Sequence, residues 1–148
     1  MVWVSEVIAG VLLFWLSVCD LKSGRIPMSG LIGFFLCGSA RVLLMERSVF
    51  LLQCLLSLWV WLSLWLAGKA SGNGIGSGDV WLLIAMPFWR TGETLLWTLL
   101  LSFLSAAVFG ILRYGFRGRK NRFPFIPWIT LGFEAVGLAI LWKGKAGI

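Results

Sequence analysis

Six apolar runs separated by short polar stretches set out the chain: Val2–Cys19, Met28–Met45, Val49–Ala67, Val80–Trp89, Thr94–Leu112 and Phe123–Trp142. Five have about the ~20 residues that an α-helix needs to cross a hydrocarbon core. The fourth is shorter, about 15 Å of helix at the standard rise per residue. It is expected to extend through Thr91, to lie where the bilayer thins, or to be partly re-entrant. No soluble domain remains once these runs are set aside. The pattern predicts an all-α polytopic membrane protein of about six transmembrane helices, forming a single membrane-embedded domain over residues 1–148.

Composition agrees with the pattern. Hydrophobic residues make up 59% of the 148 and charged residues 13%, whereas soluble domains carry about 45–50% and about 25%. The first run is expected to stay in the protein rather than act as a cleaved signal, because no basic residue precedes it. "LSVC" before Asp20 resembles a lipoprotein cleavage box, but Val18 stands where a small residue is expected.

The net charge of +7 is distributed in a way that sets topology. Arg113, Arg117, Arg119, Lys120 and Arg122 crowd the loop between the fifth and sixth runs, as the positive-inside rule predicts for a cytoplasmic loop. That orientation puts both termini outside and the loops with Lys22, Arg25 and Lys69 inside. Arg41, Arg47, Arg90, Lys143 and Lys145 then fall toward the outside. A bilayer, not nucleic acid, is the partner this arrangement fits. Trp3, Trp65, Trp89, Trp97, Trp128 and Trp142 lie near run ends, where interfacial rings belong.

Candidate chemistry is narrow. The chain has no histidine, which excludes Ser-His and Cys-His catalysis within it. Cys19, Cys37 and Cys54 form no CxxC pair, so neither a zinc site nor a disulfide framework is expected, and no metal or cofactor is implied. Only two aspartates occur, Asp20 and Asp79. Asp20 closes the first run and Asp79 opens the fourth, so both fall at the cytoplasmic interface although 59 positions apart. Glu6, Glu46 and Glu93 fall toward the outer side. Glu134 sits inside the last run, with Arg41 or a neighbouring helix as its expected partner. Two facing carboxylates share a proton, and such a pair activates water against a carbonyl. A helix-capping role suits Asp79 at a helix N-terminus. It suits Asp20 poorly, because the dipole at a C-terminal end disfavours an anion.

"SGNGIGSGDVW" (71–81) leads into Asp79 with four alternating glycines. It lacks the Lys-Ser/Thr of a phosphate loop, and Ser77 and Asp79 stand where a dinucleotide motif needs glycine. Glycines tolerate positive φ and allow close backbone approach, which suits a loop that holds an extended peptide and lets Asp79 reposition. A flexible linker is the plainer alternative. Small residues at Ser29, Gly33 and Cys37, and at Ser102, Ala106 and Gly110, are expected to mark helix contacts.

Together these residues resemble the type IV prepilin peptidases, a branch of the GxGD membrane aspartic proteases. "DLKSGRIP" places an aspartate at the end of the first core span ahead of a short basic loop. Gly76-Ser77-Gly78-Asp79 matches GxGD at the fourth span, and "FPFIPWITLG" is similar to the family's proline-aromatic motif at the last. The resemblance implies that Asp20 and Asp79 are the catalytic dyad and that Gly76 and Gly78 shape the loop bearing Asp79. It implies a prepilin or pseudopilin precursor as substrate, cut after a glycine on the cytoplasmic side of the bacterial inner membrane. Pro124 and Pro127 would set the start of the last span. Trp81 stands where the family carries lysine, Met28 follows Pro27 where it often carries asparagine, and no Cys-rich insert is present. The short, protease-only form is therefore implied, with methylation the work of another protein. Two alternatives remain open: an inactive scaffold of a pilus or secretion machine, and a solute or proton carrier built on Glu134 and Arg41.

Overall fold

A computed structural model describes residues 2–45, 47–71, 76–90, 92–114 and 124–146. Among them the chain forms six α-helices and no strand: α1 (Val2–Ser23), α2 (Met28–Met45), α3 (Phe50–Ser71), α4 (Ser77–Ala85), α5 (Gly92–Tyr114) and α6 (Ile126–Ala146). Short 3-10 turns, Arg47–Val49 and Met86–Phe88, lead into α3 and out of α4. Spans within α1, α5 and the α3 region are long and apolar enough to cross a membrane, while Met28–Leu44, Ser77–Phe88 and Ile126–Trp142 are shorter apolar helices. The protein is an all-α polytopic membrane protein.

Local chemistry explains the helix ends. α1 stops at Gly24, whose φ of 58° turns the chain into the left-handed region while its N–H bonds back to the Asp20 carbonyl (2.9 Å). Glycine adopts this cap without the Cβ penalty. Pro27 then offers its carbonyl to the N–H groups of Gly30 and Leu31, opening α2. The fourth apolar run is short because Pro87 cannot continue an α-helical ladder, and the chain tightens into the 3-10 turn there. Its helix begins earlier than the apolar run, at Ser77, so Asp79 lies inside the first turn.

The order of packing is α5 on α6, α6 on α1, α1 on α2, α2 on α4 and α4 on α3. The core gathers Ala9, Leu13 and Leu16 from α1, Leu31 and Phe34 from α2, Leu82, Leu83, Ala85 and Met86 from the α4 segment, and Ile126, Ile129 and Phe133 from α6. α3 inverts the soluble pattern. Gln53 and Ser57 face inward and are buried, while Leu51, Leu55, Leu58 and Trp59 are exposed. Lipid is as apolar as leucine, so such a helix has nothing to gain by hiding its leucines.

Two expectations about packing require correction. Ser102 and Ala106 are buried, with Ser102 against Gly132 of α6, but the Ser29/Gly33/Cys37 stripe is not a contact. Ser29 and Cys37 are exposed and a methyl group on Gly33 would meet nothing within 4 Å. α2 packs through Gly30 and Gly38 instead, the first against Trp15 and Leu16 and the second against Phe88 and Trp89. Trp89 is not interfacial either. It is 3% exposed, stacks on Phe34 at 5.2 Å between centroids, and donates from its indole N–H to the Phe34 carbonyl (3.1 Å).

Candidate active site

The last turn of α1 and the first turn of α4 meet at one cleft of about 740 Å³. Asp20 and Asp79 both line it, together with Arg25, Ile26, Leu31, Gly76, Gly78, Trp81 and Pro124. Both aspartates are half-buried, and one oxygen of each, Asp20 Oδ2 and Asp79 Oδ1, is shielded from solvent. Antiparallel helices bring these ends together: α1 finishes where α4 starts, and α2 and α6 also begin there. Among the described residues no cluster of histidine, cysteine or carboxylate side chains suits a metal ion.

Asp79 is not the N-cap residue of α4. The N-cap of α4 is Gly76, with φ −53° and ψ 125° and no side-chain cap bond; Asp79 follows three residues later. The Gly76 dihedrals are open to any residue, so positive φ is not the reason for glycine there, as the sequence had suggested. Space is the reason. A Cβ on Gly76 would stand 2.9 Å from Asp79 Oδ2, closer than carbon and oxygen tolerate. Gly78 serves a different neighbour: a methyl group there would run into the side chain of Ile26. Ile26 belongs to the loop that follows Asp20, so the second glycine of GxGD seats the first aspartate's loop on the second aspartate's helix. Gly72 and Gly74, and the basic loop from Arg117 to Arg122, lie outside the described residues.

These geometries lead to an expected result. Gly76→Ala is expected to fold normally, since the backbone accepts alanine and a carboxyl end can swing aside. On the reading of Asp79 as a reacting group, turnover is expected to fall about tenfold, because displacing such a group is costly. Turnover measured per folded molecule checks this.

Sequence reasoning placed Glu6 and Arg90 separately on the outer side. The structure joins them: Arg90, 4% exposed, forms an ion pair with Glu6 (Nη2 to Oε2, 2.8 Å). Glu134 lies over Gly10 of α1 and lines a second cleft, about 450 Å³, with Glu6 and Arg90. A buried arginine just beyond a proline-ended helix, with a glutamate early in α1, was the available signal, but nothing local pairs two positions this far apart.

The fold and the cleft define a class, a polytopic membrane protein with two aspartates on antiparallel helix ends. The sequence model of the type IV leader peptidase family matches residues 7–111, and the chain belongs to that family. The match covers both aspartates and ends before α6, which carries the third motif. No curated protein and no solved structure matches the chain.

Proposed function

We propose that the chain is a membrane aspartic endopeptidase that removes the short basic leader from prepilin or pseudopilin precursors. Cleavage after a glycine takes place on the cytoplasmic side of the bacterial inner membrane. The observation that carries this reading is the convergence of Asp20 and Asp79 on one cleft, in a member of a leader peptidase family.

The two carboxylates sit at helix ends of opposite polarity. In this reading Asp79, in the first turn of α4, is the base, and Asp20, in the last turns of α1, is the acid. Asp79 then takes a proton from a water whose oxygen bonds to the scissile carbonyl carbon, while Asp20 gives its proton to the carbonyl oxygen. Collapse of the tetrahedral intermediate breaks the C–N bond: the proton held by Asp79 passes to the departing amine, while Asp20 takes a proton back from a hydroxyl of the intermediate as the new carbonyl forms, restoring the singly protonated pair. Like charges in one cleft cannot both ionise cheaply, so the singly protonated pair is the working state.

A second reading, an inactive scaffold descended from such an enzyme, rests on Trp81. This residue lines the cleft, 53% exposed, where the family resemblance calls for lysine. Co-expression with each tagged prepilin and pseudopilin of the same genome decides between them. Loss of a leader, read by mass, is the expected result. Retention of every leader with normal protein levels would favour the scaffold.

A further inference from the structure

Asp20 and Asp79 stand on helices whose main packing partners differ: α1 packs chiefly on α2 and α6, and α4 on α2 and α3. Beyond the core they share, two contacts bear directly on their relative position. At the cleft, Ile26 lies against Gly78. At the opposite end, Arg90, just past the turn that ends α4, grips Glu6 of α1 with both prongs: Nη1 to Oε1 is 3.0 Å and Nη2 to Oε2 is 2.8 Å. Nη2 also donates to the Phe133 carbonyl of α6 (3.2 Å), and the guanidinium lies 4.2 Å from the Phe133 ring centroid.

The segment that carries Arg90 is itself fixed. Trp89 bonds to the Phe34 carbonyl of α2, and Arg41 of α2 donates to the Phe88 carbonyl (3.3 Å). Glu6 and Asp20 ride on one unbroken helix, fourteen residues apart (6 to 20) or about 21 Å. Two rods pinned at their far ends transmit any slip at the pin to the ends that carry the aspartates.

We propose that Arg90, held by Glu6, is a positioning residue for the peptidase reaction: it sets the register of α4 along α1 and thereby the approach of Asp79 to Asp20. This rests on the reading of those aspartates as the reacting pair. Apolar side chains alone leave helices free to slide, since many packings have similar contact energy. A bidentate guanidinium–carboxylate pair has one geometry. A buried ion pair adds little stability over apolar residues of the same size, and fixing register is its best-attested use.

That contrast supplies the test. In the double variant Glu6→Met/Arg90→Met two apolar side chains replace the pair, so folding is expected to persist while register loosens. Leader removal by purified protein in detergent, per folded molecule, is expected to show kcat reduced about 100-fold, as for a displacement near 1 Å. KM is expected to change less than about twofold, because the cleft walls that bind substrate remain. Glu6→Gln, which leaves Arg90 its bond to Phe133, carries the same measurement if the double variant fails to accumulate, with a smaller loss of kcat expected. An unchanged kcat in the folded variants overturns the proposal. So does a loss of folded protein in both, which would make the pair a stability element only. A wild type that removes no leader fails the underlying reading instead, before any variant is compared.

Discussion

Asparagine in place of Asp79, or of Asp20, is expected to slow leader removal by about 10²–10⁴-fold, the usual contribution of general acid–base catalysis. Asparagine keeps the shape of the side chain, so each variant should reach the membrane in normal amount. What it loses is the titratable carboxyl group. At Asp79 the amide cannot take a proton from water; at Asp20 it cannot give a carboxylic proton to the carbonyl oxygen. In the proposed mechanism the two act as a unit, so the double variant is expected to be no slower than the worse single one. Rates from purified protein, with folded amounts matched, check this. A cap would behave differently, since asparagine caps as well as aspartate; near-normal turnover in Asp79→Asn would leave the residue a structural role only.

Gly132→Ala is expected to destabilise the protein by about 1–3 kcal/mol, the range for overpacking a close contact. A Cβ at Gly132 would meet the Thr98 carbonyl oxygen at 2.7 Å and the Ser102 backbone nitrogen at 2.9 Å. Those are backbone atoms of α5 and cannot rotate away, unlike the carboxyl end near Gly76. α5 and α6 would have to separate, and α6 carries the turn that places Pro124 at the cleft. Gly33→Ala is the matched control. It has open space around it, so alanine's better helix propensity is expected to leave stability unchanged or raised by up to about 1 kcal/mol. Thermal loss of monodisperse protein in detergent distinguishes the two. Equal behaviour would mean that α5 and α6 do not approach closely at Gly132.

Both variants turn on a distinction that glycines alone do not reveal. Gly33 and Gly132 look alike in an apolar run, yet one faces open space and the other a helix backbone. Gly76 and Gly78 look like parts of one permissive loop, yet one makes room for a carboxyl and the other for Ile26. Trp89 stands near a run end as an interfacial ring would, and is buried.

The sequence by itself determined the helices and the end of the bundle that holds both aspartates. Runs of apolar residues need internally bonded backbone in lipid, so their number follows locally, while their limits shift by a few residues, as where α4 starts at Ser77 ahead of its apolar run. Placing Asp20 at the close of one run and Asp79 at the opening of another fixed a shared end once successive helices alternate in direction. Only the tertiary structure decided which face of each helix turns inward, that Ile26 rests on Gly78, and that Arg90 closes on Glu6 from 84 positions away. The physical reason is the solvent. In water an apolar stripe marks the buried face; in a bilayer both faces are apolar, and side-chain fit and a few buried polar bonds choose between them.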